Sequence, residues 1–129
     1  ADDLRLHSSA HWLFYDHGSK EQFRAKVSVQ LHHQDQKAQK VWQGIPPSAR
    51  GDYIGPVAPG SRASQHTDNL PHSFRKNPTE ENTEKGIENF VLMISEVQQL
   101  DFLKLSRGGH LRTQFTWNQN HWESTWLAP

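Results

Sequence analysis

The stretch His110-Leu111-Arg112-Thr113-Gln114-Phe115-Thr116-Trp117-Asn118-Gln119-Asn120-His121-Trp122 decides the fold. Side chains alternate faces along a strand, so His110, Arg112, Gln114 and Thr116 point one way and Leu111, Thr113, Phe115 and Trp117 the other. Asn118-Gln119-Asn120 supplies turn residues that tolerate left-handed backbone. The chain then returns through Trp122 and Trp126 to Pro129. Residues 101–129 therefore read as a two-stranded hairpin, with an aromatic row to bury and a cationic, hydrogen-bonding row left to meet a ligand or water. Gly108-Gly109 just ahead of it lets a backbone or ligand approach closely.

A strand upstream has the same two-sided character. From Gln22 to His32 the alternation is strict, with Phe23, Ala25, Val27, Val29 and Leu31 on one face and Gln22, Arg24, Lys26, Ser28 and Gln30 on the other. His11 to Asp16 reads as a strand, joined to it by a turn at His17-Gly18-Ser19. Asp2 to Ser9 has room for about two helical turns. Asp35 is placed to cap a helix over Gln36 to Gln43, whose apolar side is Ala38, Val41 and Trp42 and which Gly44, Pro46 and Pro47 end. Ser48 to Tyr53 suits a second short helical turn.

From Gly55 to Gly86 the chain turns to Pro, Gly, Ser, Asn and charge, which predicts a long polar loop over about residues 62–86. Asn89 to Val97 is expected to be a strand, its run Phe90-Val91-Leu92-Met93-Ile94 suited to burial on both faces. Gln99 to Leu105 leads on into the hairpin. Five or six strands with one helix between them make a mainly β protein, a barrel or strongly curved sheet with helical insertions. Its open edges call for further strands or a second copy to cover them.

At 129 residues the chain fits a single domain. Only 33% of it is hydrophobic and its mean hydropathy is −0.87, so the core is modest. Fourteen Lys and Arg balance fourteen Asp and Glu, which removes the positive field that nucleic-acid binders use on phosphates. Without cysteine there is neither a disulfide scaffold nor a thiolate zinc site. No apolar run approaches the roughly 20 residues of a membrane helix, and Ala1-Asp2-Asp3-Leu4 does not resemble a signal peptide. The expectation is a cytoplasmic protein without nucleic-acid or membrane partners. The chain starts without Met, as a processed product or part of something longer would.

Nine histidines raise the question of a metal, but His7 and His11 are four apart where a strand begins, and no third ligand is placed nearby. We therefore expect surface histidines and no metal. Arg50-Gly51-Asp52 matches the cell-adhesion tripeptide, yet three residues recur by chance. No glycine-rich phosphate loop or nucleophile elbow is present. Glu80, Glu81 and Glu84 read as a solvated charge run. What remains is the pairing of two polar strand faces, Gln22, Arg24 and Lys26 with His110, Arg112 and Gln114. Arginine forks and glutamine amides suit an anionic, heteroaromatic ligand, while an ordinary wet face is the commoner meaning of such a pattern.

Read in order, Trp12-Leu13-Phe14-Tyr15-Asp16, Lys20-Glu21-Gln22-Phe23-Arg24, the helix through Trp42, Pro47 to Tyr53, Ala58-Pro59-Gly60, Gly109-His110-Leu111-Arg112 and Trp126-Leu127-Ala128-Pro129 resemble the pyridoxamine 5′-phosphate oxidase-like family. The resemblance spans nearly the whole chain outside about Arg62 to Gly86. It implies an FMN-binding split β-barrel, of which this chain is the C-terminal portion, working as a homodimer with flavin at the interface. Gln22 and Arg112 match flavin-contacting positions, Ser61 falls near a flavin-contacting segment, and Arg24 shares the face of Gln22. His110 matches a histidine beside the substrate, the one catalytic candidate.

Departures from the family pattern matter as much. Ile45 and Ala49 stand where pyridoxamine phosphate oxidases carry an arginine and a serine for the substrate phosphate. Leu103 replaces a tryptophan, and Gly108 a basic residue. The resemblance thus implies an FMN-dependent oxidoreductase of a small molecule other than pyridoxamine phosphate. A flavin-binding module without turnover, or a chain kept only for assembly, are the other readings.

Overall fold

Strand β2 (Glu21–His32) is the spine of the protein, because its alternation forces a dry face and a wet one. In the computed structural model, which describes residues 8–129, it sits between β1 (Ser9–Asp16) and β3 (Leu92–Lys104), followed by β4 (Leu111–Asn118) and β5 (His121–Leu127). The five form one antiparallel sheet in sequence order. The helical turns expected over Asp2 to Ser9 lie outside the described residues, except that Ser9 opens β1.

The chain divides into two compact units, one ending at Leu31 and resuming over Met93–Pro129, the other His32–Leu92. In the sheet unit, β1 lies against β2 with Ala10 opposite Val27, Trp12 opposite Ala25 and Phe14 opposite Phe23. Ala25, Val27 and Val29 are buried there, with Ala10, Trp12, Leu31, Met93 and Leu100 packed around them. The Trp12 indole satisfies its N–H by donating to Ser95 Oγ at 3.0 Å.

In the second unit, α1 (Gln36–Gly44) is capped by Asp35, whose carboxylate accepts the Ala38 N–H at 2.9 Å. Ala38 and Trp42 are buried from α1, but Val41 is exposed, a correction to the apolar side expected of it. Two 3-10 turns follow, Pro47–Ala49 and Gly51–Tyr53. They bring Arg50, only 2% exposed, against Trp42 with its guanidinium carbon 4.5 Å from the ring centroid. Arg50 donates to the carbonyls of Ile45 at 2.9 Å and Trp42 at 3.1 Å, and to Thr83 and Glu84 at 3.4 Å. Its burial removes it from any adhesion partner.

The polar stretch expected as a loop over 62–86 carries α2 (His72–Lys76), α3 (Glu80–Thr83) and a 3-10 turn, Glu84–Glu88. Three signals in it were local and short. Thr79 and Asn82 form a reciprocal capping box for α3, Thr83 and Gly86 are buried, and Glu84 serves Arg50 and the Trp42 indole in place of a solvated run. Gly86 faces Trp42 so closely that a Cβ there would stand 2.7 Å from the ring.

The run Phe90 to Ile94 also divides differently from the strand predicted over Asn89 to Val97. Phe90 packs with Ala38 and Trp42 in the second unit, β3 begins only at Leu92, and Ile94 and Val97 are exposed. One strand, Leu92–Lys104, replaces the two pieces expected.

Arg50 donates to the Ile45 carbonyl and shares the Trp42 carbonyl with the Ile45 N–H, while its buried guanidinium packs on the Trp42 ring, so Arg50→Ala removes these bonds and leaves a cavity, a loss of about 2–4 kcal/mol. Arg50→Lys restores a charge but no planar fork and is expected to recover less than half of it. Urea midpoints check this; an Arg50→Ala protein as stable as the parent contradicts the role given to the buried guanidinium.

Candidate functional site

The polar face of β2 gains neighbours through register. On β1, His11 is opposite Lys26, Leu13 opposite Arg24 and Tyr15 opposite Gln22. On the other side, β3 and β4 pair with Leu103 opposite Arg112 and Asp101 opposite Gln114, and β5 sets Leu127 opposite Arg112. The Gln22–Arg24 edge and the Arg112 edge thus meet across β3. They enclose a hollow of about 190 Å³ lined by Gln22, Arg24, Asp101, Leu103, Arg112 and Pro129. A second hollow of about 180 Å³ adjoins it, sharing Arg24 and Asp101 and adding His11, Lys26 and Gln99.

Asp101 is diagonal to Arg112 across the β3–β4 ladder, a separation that a long arginine spans. Arg112 Nε donates to both Asp101 oxygens at 3.1 and 3.2 Å, and Nη2 donates to Oδ2 at 2.6 Å. Asp101 is 17% exposed and Arg112 35%, so the pair is half out of water. The hydrogen bonds from Arg112 hold the Asp101 carboxyl below the ordinary aspartate range against the opposing pull of burial, and the positive charge of Arg24 adds to the effect. The same partner raises Arg112 above its ordinary value. Arg24 and Lys26, by contrast, make no ion pair among the described residues.

Of the residues expected at the site, Gln22, Arg24 and Arg112 come together in the first hollow. His110 does not line it. That side chain sits exposed in the turn before β4, where its Nδ1 accepts the Ser106 N–H at 3.2 Å, behind Gly109 at φ +126°. Ser61 is exposed in the second unit, its N–H bonded to the Ala58 carbonyl at 3.1 Å. Asp101 was missed. The alternation around inward-facing Phe102 already put it on the polar face, but the offset that sets it beside Arg112 depends on the six-residue connection Leu105–His110, which carries no periodic signal.

The aromatic row of the hairpin also departs from expectation. Thr113 is buried and Phe115 half-buried, but Leu111, Trp117, Trp122 and Trp126 are exposed, Trp126 by 74%. Trp117 pairs with Trp122 across the ladder, ring centroids 5.5 Å apart. Residues of core character thus lie bare on β4 and β5. The turn closes on Gln119 at φ +53°, the left-handed residue of an Asn-Gln-Asn segment.

A larger hollow, about 510 Å³, belongs to the second unit, lined by Asp52, Tyr53, Val57, Asn69 and Asn89 among others. Size does not make it the better site for an anionic ring. The Asn69 amide is spent on both backbone groups of Val57 and the Asn89 amide donates to the Tyr53 carbonyl, and no cation lines the hollow. Among the described residues there is also no cluster of metal-ligating side chains, and no helix is long and apolar enough to cross a membrane.

No family model matches the chain, and no curated protein sequence does. Solved structures share its fold. A pyridoxamine 5′-phosphate oxidase-related, FMN-binding protein of Nostoc punctiforme superposes with a TM-score of 0.77 at 24% identity, over 99% of this chain and 66% of its own. PhzG of Burkholderia lata, solved with tetrahydrophenazine-1-carboxylic acid, superposes at 0.59 and 16% identity, over 99% of this chain and 62% of its own. The chain therefore has the split-barrel fold of pyridoxamine 5′-phosphate oxidase-like proteins and spans just under two thirds of the length of these relatives.

A carboxyl held low when folded contributes stability that is complete above the unfolded aspartate range and is lost as pH falls through its folded value. Asp101→Asn is accordingly expected to be less stable than the parent at neutral pH, the gap closing below the ordinary aspartate range where Asp101 is itself uncharged. Denaturant midpoints across that range check it; a gap independent of pH contradicts the assignment of the pair.

Proposed function

We propose that this chain contributes one wall of an FMN site in a cytoplasmic, homodimeric oxidoreductase whose small-molecule substrate is not pyridoxamine phosphate. The observation that carries the reading is the convergence of Gln22, Arg24 and Arg112 on one sheet hollow in a fold shared with an FMN-binding protein. The donor set suits the group. Gln22 offers both a donor and an acceptor for a ring edge, Leu103 and Pro129 offer apolar contact for its face, and Arg24 offers a guanidinium without an ion pair among the described residues. The bound flavin supplies the redox chemistry, and the chain supplies orientation, hydrogen bonds and exclusion of water.

A hollow of about 190 Å³ is below the roughly 300–1,000 Å³ of sites that enclose a cofactor. A second wall is needed, and the homodimer provides it. The bare Leu111, Trp117, Trp122 and Trp126 lie on the other face of the hairpin from Arg112, so they support burial of this hairpin against a partner, separately from the wall over the hollow. Ser61, after Ala58-Pro59-Gly60, is assigned to the flavin on the family resemblance alone. His110 is assigned to the substrate: with Nδ1 accepting from Ser106, Nε2 carries the proton of the neutral ring and can donate it. Ile45 and Ala49 offer no charge for a substrate phosphate. Because His110 lies outside the hollow, a flavin-binding module without turnover is the second reading.

Titration of the purified protein with FMN is expected to quench flavin fluorescence saturably, and Gln22→Ala to weaken binding about tenfold, the worth of one ring hydrogen bond. Sedimentation of the loaded protein should give twice the chain mass. A chain that leaves FMN fluorescence unchanged, or stays monomeric when saturated, overturns the corresponding part of the proposal. Consumption of a reduced nicotinamide or an amine by the loaded protein separates the oxidoreductase from the module.

A further inference from the structure

We infer that Asp101 is a specificity-determining residue: by holding Arg112 in a two-point ion pair and facing Arg24, it reserves the Leu103 hollow for a neutral, flat, hydrogen-bonding part of the ligand and leaves the anionic part to Arg24 and Lys26 in the adjoining hollow. This rests on the flavin-site reading for the identity of the ligand, though not for the division of charge.

Charge placement carries the argument. Arg24, Lys26 and Arg112 are the cations of the two hollows, and among the described residues Asp101 is the only acidic side chain lining either. Its carboxylate occupies the side-on fork of Arg112, formed by Nε and Nη2, one of the two with which a guanidinium grips a phosphate or carboxylate. An anion reaching Arg112 either displaces Asp101, leaving a carboxylate that is 17% exposed without its partner, or takes the remaining Nη hydrogens of a guanidinium whose charge Asp101 already balances, beside a like charge. A neutral ring carbonyl or nitrogen meets no such penalty, and Leu103, opposite Arg112, and Pro129 give that ring an apolar seat.

The adjoining hollow shares Arg24 and Asp101 but has Lys26 in place of the paired Arg112, so its cations outnumber its one acidic side chain without being engaged by it. Lys26 and Arg24 are two apart on β2, so both project from its polar face, and His11 stands opposite Lys26 on β1. Neither cation is engaged in an ion pair among the described residues, and Gln99 adds an amide donor. A flat ligand carrying a phosphate or carboxylate at one end therefore has one orientation available, ring toward Leu103 and anion toward Lys26. A flavin mononucleotide phosphate and the carboxylate of an aromatic acid have this chemistry in common.

Side-chain NMR of the unmutated protein tests the division without any flavin. Titration with inorganic phosphate is expected to shift the Arg24 Nε and Lys26 Nζ signals and leave Arg112 Nε in place; movement of Arg112, or silence of Arg24 and Lys26, overturns the inference. In Asp101→Asn, which keeps the shape and removes the charge, Arg112 Nε should now respond and phosphate affinity rise about tenfold, the rise being lost in Asp101→Asn/Arg112→Gln. An Asp101→Asn protein that folds but gains no phosphate affinity also overturns it. Parallel titrations with FMN and with a simple aromatic carboxylate separate the two sources. A parent protein that ignores FMN while showing the predicted phosphate pattern sinks the flavin reading and leaves the role of Asp101 standing.

Discussion

The alternation of β2 is the constraint on which the sheet unit depends. Ala25, Val27 and Val29 can be dry only if Gln22, Arg24 and Lys26 face the other way, and a slip of one residue would invert both sets. Burying the apolar row against Ala10, Trp12, Met93 and Leu100 therefore also fixes the polar row that forms the candidate site. The core and the ligand face are two consequences of one pattern. This is why a chain with so modest a core still presents an ordered row of donors: the rigidity of the site is borrowed from the strand behind it.

What β2 begins, the β3–β4 register completes. Leu103 falls opposite Arg112 and Asp101 falls diagonal to it, so an arginine that would otherwise be a general anion grip becomes half of an ion pair. The charge on this face is thereby divided. Arg24 and Lys26 keep cations without an ion pair among the described residues on one side, while Arg112 and Asp101 form a nearly neutral, directional strip on the other. A flat ligand with one charged end suits that division better than a uniformly cationic face would.

Elements with a strong period were readable from the chain itself. β1, β2, α1 with its Asp35 cap, and the terminal hairpin all stand where alternation and capping put them, and so does the meeting of Gln22, Arg24 and Arg112. The failures have physical causes. The stretch up to Gly86 folds through a capping box of four residues and a buried Arg50 that arrives from elsewhere in the chain, neither of which leaves a periodic trace. Phe90 to Ile94 looked like one buried strand because an apolar run does not say where it changes core, and here Phe90 serves Trp42 while Met93 serves Val27 and its neighbours. The Trp117, Trp122 and Trp126 row was expected to be buried by composition, but within the described chain nothing covers it. Asp101 is not legible as a site residue in the sequence because partnership across a ladder depends on register, which a six-residue connection hides.

A crystal structure of the protein grown with FMN tests the central claim most directly. The account predicts the isoalloxazine ring against Leu103 and Pro129 with its edge at Gln22, and the Arg112–Asp101 pair intact beside it. Flavin seated instead in the Asp52–Asn69–Asn89 hollow of the second unit, with the β2–β3–β4 face bare, would contradict it.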